Sequence, residues 1–125
     1  MTERISLDAH AHVRPNCSSE ELAKAGAVLA MTLSLDEAEA VARRREPLVA
    51  WGVGCHPRDV KAQADFSVER FRQLVAGAAI IGEVGLDVRS SKVPLDVQLR
   101  TFRAALRTAA ETRKPVSIHS YTATS

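Results

Sequence analysis

The chain has 125 residues, 46% of them hydrophobic, and a net charge of +2. That length suits one domain with a true core, and that composition excludes a disordered chain. No apolar run approaches the ~20 residues of a membrane span and no signal-peptide core follows Glu3 and Arg4, so the cytoplasm is the expected compartment.

The first predicted element is a strand over residues 4–8, which leads into Asp8-Ala9-His10-Ala11-His12. Extended chain has a side-chain period of two, so Asp8, His10 and His12 share a face, and two imidazoles so placed can grip one metal ion. Ser18 to Glu21 offers a capping box for a short helix through Leu22 and Ala25, ended by Gly26. Cys17 and Cys55 lie far apart without a CxxC partner and are expected to be reduced thiols. Ala27 to Leu33 is a near-continuous apolar run, the mark of a strand buried on both faces. Ser34 to Glu37 is a second capping box. The helix after it is expected to bury Leu35, Ala38, Val41 and Ala42 and to expose Glu39, Arg43 and Arg44.

Pro47 breaks the chain before an apolar strand, Leu48 to Val53, that closes on the turn Gly54-Cys55-His56-Pro57. A polar loop follows. Ser67 fits the N-cap of a third helix, with Phe66 stapled onto Phe71 and a buried stripe of Val68, Phe71, Leu74 and Val75. Gly77 ends it. Ala78 to Val84 is the fourth strand, carrying Glu83, and Gly85-Leu86-Asp87 closes it. Asp96 opens a long helix with the stripe Leu99, Phe102, Leu106 and Ala109 or Ala110. Its cations, Arg100, Arg103, Arg107, Arg113 and Lys114, and the cluster Arg43-Arg44-Arg45 read as solvated faces in preference to phosphate-binding patches. Pro115 stops the helix, and Val116-Ser117-Ile118-His119 is a fifth strand.

Strict alternation of short buried strands with helices predicts a parallel sheet covered by helices through right-handed crossovers. No repeat or linker divides the chain, so 1–125 is expected to be a single domain. Sites in such folds form at the C-terminal ends of the strands. All four histidines fall there: His10 and His12 after strand one, His56 after strand three, His119 on strand five. Strand four adds Glu83 and Asp87. One histidine at such a place is ordinarily structural, whereas four converging on a carboxylate point to a metal. Histidine with carboxylate suits Zn, Mn, Fe or Mg, and a carboxylate between histidines can bridge two cations. A Cys55 thiolate nucleophile is the weaker alternative, since no base and orienter accompany it.

At these residues the chain resembles the TatD-like metal-dependent deoxyribonucleases, within the amidohydrolase-type barrels. Asp8-Ala9-His10-Ala11-His12 is similar to that family's D-x-H-x-H opening, and Gly54-Cys55-His56-Pro57 to its G-[IL]-H-P turn. Ile81-Gly82-Glu83-Val84-Gly85-Leu86-Asp87 is similar to its I-G-E-I-G-L-D segment. Gln98 and Phe102 match its Q-x3-F helix, and Lys114 to His119 its P-[VL]-x-[IL]-H strand. The resemblance covers almost the whole chain, in the family's order.

It implies a parallel (β/α) barrel of TIM type, here truncated to five strands and four helices, that hydrolyses DNA phosphodiesters with two divalent ions (Mg, Mn or Zn). Carried over residue by residue, His10 and His12 bind the first metal, His119 binds the second, and Glu83 bridges them as the catalytic carboxylate. His56 and Asp87 belong to the substrate pocket, Asp87 shaping its floor and His56 either backing the metal ligands or contacting the phosphate. Two positions depart from the pattern: Val88 stands where an aromatic is usual, and Tyr121 where a phosphate-directed arginine is usual. A complete (β/α)₈ barrel takes ~250 residues. The family's later histidine and its C-terminal aspartate have no counterpart here, so full activity is expected to need a missing C-terminal segment or a partner. An open sheet leaves apolar strand edges, through which self-association or a partner chain is expected. The alternative is a catalytically incomplete, metal-binding remnant that serves as a structural or interaction module. An amidohydrolase acting on a small cyclic amide or ester is disfavoured by the GEVGLD segment.

Overall fold

The computed structural model describes residues 7–24, 26–89 and 92–121, with the backbone alone at residues 7–10 and 12. Five parallel strands alternate with helices: β1 (Leu7–His12), α1 (Ser19–Lys24), β2 (Ala27–Met31), α2 (Leu35–Val41), β3 (Val49–Val53), α3 (Val60–Ala64), α4 (Val68–Ala76), β4 (Ile80–Asp87), α5 (Leu95–Thr112) and β5 (Val116–Tyr121). The strand order is β1-β2-β3-β4-β5. A doubly wound sheet reverses direction at a switch point. This one never does, so each right-handed crossover carries its helix to the same face and the sheet curls into half of a TIM-type barrel. Among the described residues β1 and β5 are each paired on one side only.

Local sequence sets most of the helix starts. Ser18 Oγ accepts from Glu21 N at 3.1 Å, Ser34 Oγ from Glu37 N at 3.1 Å, and Ser67 Oγ from Arg70 N at 3.3 Å. The return arm of the second box goes one residue further back than a capping box requires, with Glu37 Oε1 accepting from Leu33 N at 2.7 Å. The Phe66 and Phe71 rings lie 5.4 Å apart, as the staple predicts. The polar loop after strand three holds a fifth helix, α3, absent from the four expected. Asp59 caps it by accepting from Ala62 N at 3.0 Å, a one-turn signal too short to show as a periodic stripe.

The core lies between the sheet and its helices. Leu35 and Ala38 of α2, Val53 of β3, Phe71 and Val75 of α4, Ile81 and Val84 of β4, and Ala105 and Ala109 of α5 form it. Burial departs from the expected stripes where neighbouring helices set the rotation. Ala42, Val68 and Leu106 are exposed, while α5 buries Gln98, Thr101, Ala105, Thr108 and Ala109. Arg44 is not solvated either: it pairs with Glu46 at 2.5 Å and its guanidinium lies 5.2 Å from the Trp51 ring centre. Lys114 bends back to the carbonyls of Val75 and Ala78, closing the end of α4. Arg100, Arg103 and Arg107 are exposed, as expected.

Two strands run further than the sequence indicates. β1 extends through the histidine pair to His12, and β4 continues through Gly85-Leu86-Asp87. Both contain a register shift, between Asp8 and Ala11 in β1 and between Ile81 and Val84 in β4. Each shift adds one residue to its strand; the side chains of Asp8, His10 and His12, expected to share a face, lie outside the described residues. Residues 4–6, where the first strand is expected to begin, lie outside the described residues.

Candidate metal centre

The centre is assembled from the turn after β3, which carries His56, and from within β4 and β5, which carry Glu83 and His119. Thr32, just past β2, ties the first two of these segments together. Its hydroxyl donates to Gly52 O at 2.8 Å and accepts from Gly54 N at 3.1 Å. Its carbonyl accepts from Glu83 N at 3.0 Å, and Glu83 O accepts from Cys55 N at 2.9 Å. Gly54 is required by this approach: a Cβ there would lie 2.3 Å from both Glu83 N and Thr32 O. Gly85 has φ +151°, and its Cβ would meet His119 O at 1.8 Å. These two glycines of the G-C-H-P turn and the GEVGLD segment are therefore spacers that let three segments close on one point.

At that point stands Glu83, 2% exposed. His119 Nδ1 lies 2.9 Å from Glu83 Oε1 and His56 Nε2 3.6 Å from the same oxygen. The two imidazole rings are 4.7 Å apart. One ligand atom from each of His56, Glu83 and His119 falls within 4.8 Å of the others, a spacing that could hold one cation. A buried carboxylate needs a cation or hydrogen bonds to remain charged, and an N/O donor set of this kind fits a divalent ion. The residues present therefore fit a metal.

The hydrogen bonds assign the three donors different roles. His119 Nε2 lies 2.9 Å from Asp87 Oδ2. Asp87 is fully buried, and its carboxyl is held well below the usual carboxylate range, chiefly by hydrogen bonds from the Arg89 side chain and also by His119. Both ring nitrogens of His119 thus face a carboxylate at 2.9 Å; with an ion on the Glu83 side, Asp87 would take the Nε2 proton and leave the Nδ1 lone pair to the ion, the carboxylate–histidine–metal arrangement. His56 is oriented the other way. Its Nδ1 accepts from Arg58 N at 3.1 Å, so neutral His56 carries its proton on Nε2 and presents a donor to Glu83 Oε1. Glu83 and His119 thus offer lone pairs to an ion, whereas His56 offers a proton to a carboxylate or an anion.

The backbone of His10 and His12 is the last part of β1, where His12 is in register with Met31 of β2; their side chains lie outside the described residues. Cys55 is buried, and burial foremost pushes its thiol up to about 12, so it is protonated at neutral pH and no nucleophile.

Two contributors are not evident as site residues from sequence alone. Buried Gln98 clamps the end of β4, its Oε1 accepting from Asp87 N at 2.8 Å and its Nε2 donating to Asp87 O at 3.2 Å and Val93 O at 3.0 Å. Arg89 grips Asp87 through Nε (3.0 Å to Oδ1) and Nη2 (2.7 Å to Oδ2). Its sequence signal is a lone cation two residues beyond a site aspartate.

Among the described residues no helix is long and apolar enough to cross a membrane. A structure of YjjV, a TatD homologue from Escherichia coli K12, superposes with a TM-score of 0.72 at 23% identity, over 90% of this chain and 49% of that one. A hydrolase TatD family protein from Entamoeba histolytica gives 0.70 at 12% identity, over 96% of this chain and 51% of that one. At these identities the likeness speaks to the fold. An uncharacterized metal-dependent hydrolase of Bacillus subtilis (strain 168), YabD, is 34% identical over 74 residues, 58% of this chain and 29% of that protein. The chain thus spans about half the length of the matching structures and less than a third of YabD. The model of the family described as TatD related DNase matches residues 7–125, and the chain belongs to that family.

Proposed function

We propose that this chain carries the first half of the active site of a metal-dependent hydrolase that cleaves DNA phosphodiester bonds. The supporting observation is the buried Glu83 carboxylate with His119 Nδ1 at 2.9 Å, backed by Asp87 Oδ2 at 2.9 Å from the far ring nitrogen. Glu83 and His119 would hold one ion, and His10 and His12, which the family resemblance assigns to metal, would hold a second, with Glu83 shared between the two. Divalent ions there supply Lewis acidity toward a phosphoryl oxygen. His56, with its proton on Nε2, donates to the phosphate as charge builds on its oxygens. The remaining ligands come from a further segment or a partner chain meeting the strand edges, and the protein works in the cytoplasm.

Metal content after dialysis and a nuclease assay with Mg²⁺ or Mn²⁺ test this reading, with His10→Ala and Glu83→Ala as controls. Loss of an outer partner of a metal ligand alone costs roughly 10–100-fold, so each variant is expected to lose at least that much. Activity retained in both variants overturns the site. Bound metal without turnover favours the non-catalytic, metal-binding module.

A further inference from the structure

The family resemblance puts a phosphate-directed arginine two residues beyond the strand-five histidine, and Tyr121 stands there instead. The structure puts a guanidinium at that place by another route. Arg89, two residues past the end of β4, lies with its Cζ 3.7 Å from the centre of the Tyr121 ring. β4 and β5 are in register here, with Asp87 opposite Tyr121 and Val88 N donating to Tyr121 O at 3.1 Å. A stacked pair across adjacent strands therefore delivers from β4 the charge that β5 does not carry.

We propose that Arg89 is the substrate-phosphate-binding arginine of this site and that Tyr121 is the residue that positions it. Two constraints fix the guanidinium plane. Asp87 takes one edge through Nε and Nη2, and Tyr121 lies under the face. Nη1 has no acceptor among the described residues, and the side chain is 44% exposed. The unused edge of the fork, with two parallel N–H groups, matches two phosphoryl oxygens. A guanidinium already held in one orientation loses less freedom on binding than a free one. Arg89 is also close to the metal centre. The same Asp87 oxygen contacts Arg89 Nη2 at 2.7 Å and His119 Nε2 at 2.9 Å, so the Asp87 carboxylate and one imidazole link the guanidinium to Glu83. A phosphate at the metal centre, or the next one along a strand, falls beside it. Lysine cannot replace it, because a point charge neither stacks nor forks.

The inference rests on the phosphodiester reading for its substrate, and the test separates the two. Inorganic phosphate is titrated into metal-free, isotope-labelled protein in EDTA while the backbone amide resonances near residues 87–89 and 119–121 are followed. Wild type is expected to show saturable shifts there. Arg89→Lys, which keeps a cation beside Asp87 and so keeps the fold, and Arg89→Ala are each expected to weaken binding roughly tenfold or more. Tyr121→Phe keeps the stack and the affinity, and Tyr121→Ala loses a few-fold, roughly what an exposed cation–π contact contributes. Absence of phosphate-dependent shifts in wild type overturns the proposal. So does wild-type affinity in both folded Arg89 variants. Phosphate binding that depends on Arg89 in a protein that never cleaves DNA leaves Arg89 standing and removes the substrate. Cleavage of DNA with unchanged KM in Arg89→Lys does the reverse.

Discussion

The two faces of β4 are made of opposite materials. Toward the helices it turns Ile81 and Val84, which join Phe71, Val75, Ala105 and Ala109 in the core. Its other face carries Gly82 and Glu83, where a Cβ on Gly82 would come within 2.6 Å of Met31 Sδ and 2.9 Å of Ser117 Cβ. The register shift between Ile81 and Val84 lets both aliphatics face outward with the glycine and the glutamate between them. The outer face stabilises by buried area, a quantity that degrades gradually. The inner face works by clearance, which permits no additional atom. Substitutions on the two faces should therefore fail differently.

Gly54→Val should show the largest effect. Its added Cβ meets backbone atoms of two other segments at 2.3 Å, and no rotamer relieves backbone. A cost of more than about 4 kcal/mol is expected, enough to leave a protein of ordinary stability unfolded. Circular dichroism and urea denaturation decide it. A variant that melts within a few degrees of wild type breaks the claim that clearance limits this face. Phe71→Ala comes next, on the outer side. Phe71 is fully buried at the centre of the core, and its truncation is expected to cost roughly 3–5 kcal/mol. The surviving folded fraction should still bind metal, because none of the atoms removed touches Glu83, His56 or His119.

These faces are unequally legible in the sequence. Ser18, Ser34 and Ser67 announce their helices because a cap is satisfied within three residues of itself. The apolar strands are legible because their runs carry no polar position, although only β4 is buried nearly throughout, and β2, expected to be buried on both faces, leaves Ala27 and Leu29 partly exposed. The bulges are not, since an extra residue is set by the register of a neighbouring strand. At the site, Glu83 and His119 can be read as polar residues set in apolar strands, although each lies in the middle of its strand and not at its end. The links around them cannot: Gln98 reaches Asp87 from a helix eleven residues on, and Arg89 meets Tyr121 only because β4 and β5 align. Resemblance to the family supplies ligands, whereas the hydrogen bonds divide His119, as a donor of electrons to an ion, from His56, as a donor of a proton.

Asp87→Asn probes the inner face by pH. Arg89 chiefly, and His119 with it, hold the folded carboxyl well below the ordinary aspartate range. A depressed folded value means that the unfolded chain takes up its proton at higher pH. The stability from this group is therefore fully present above about pH 4, the ordinary aspartate value, and is lost as pH falls through the folded value. Asp87→Asn should be less stable than wild type at pH 7, and the gap should narrow as pH drops below about 4. Urea midpoints at several pH values measure it. A gap of constant size shows that the variant perturbs packing rather than the carboxylate's ion pair.

Leu106→Gln should have the smallest effect, and it tests where the outer face ends. Leu106 has the apolar side chain and the helical spacing of a core residue, yet it is 39% exposed while its neighbours Ala105 and Thr108 are buried. The reason lies in the packing partner: β4 sits close beneath α5, so small residues fill that face and the leucine is turned away. With solvent on it, the substitution is expected to change stability by no more than about 0.5 kcal/mol. A cost of about 2 kcal/mol would instead show that Leu106 is covered in the folded protein, as a buried leucine side chain is. The covering element would then lie against the exposed side of α5. In that case the apolar area of the outer face extends beyond the described residues, and the contrast between a tolerant outer face and an unforgiving inner one would hold for a wider sheet than five strands.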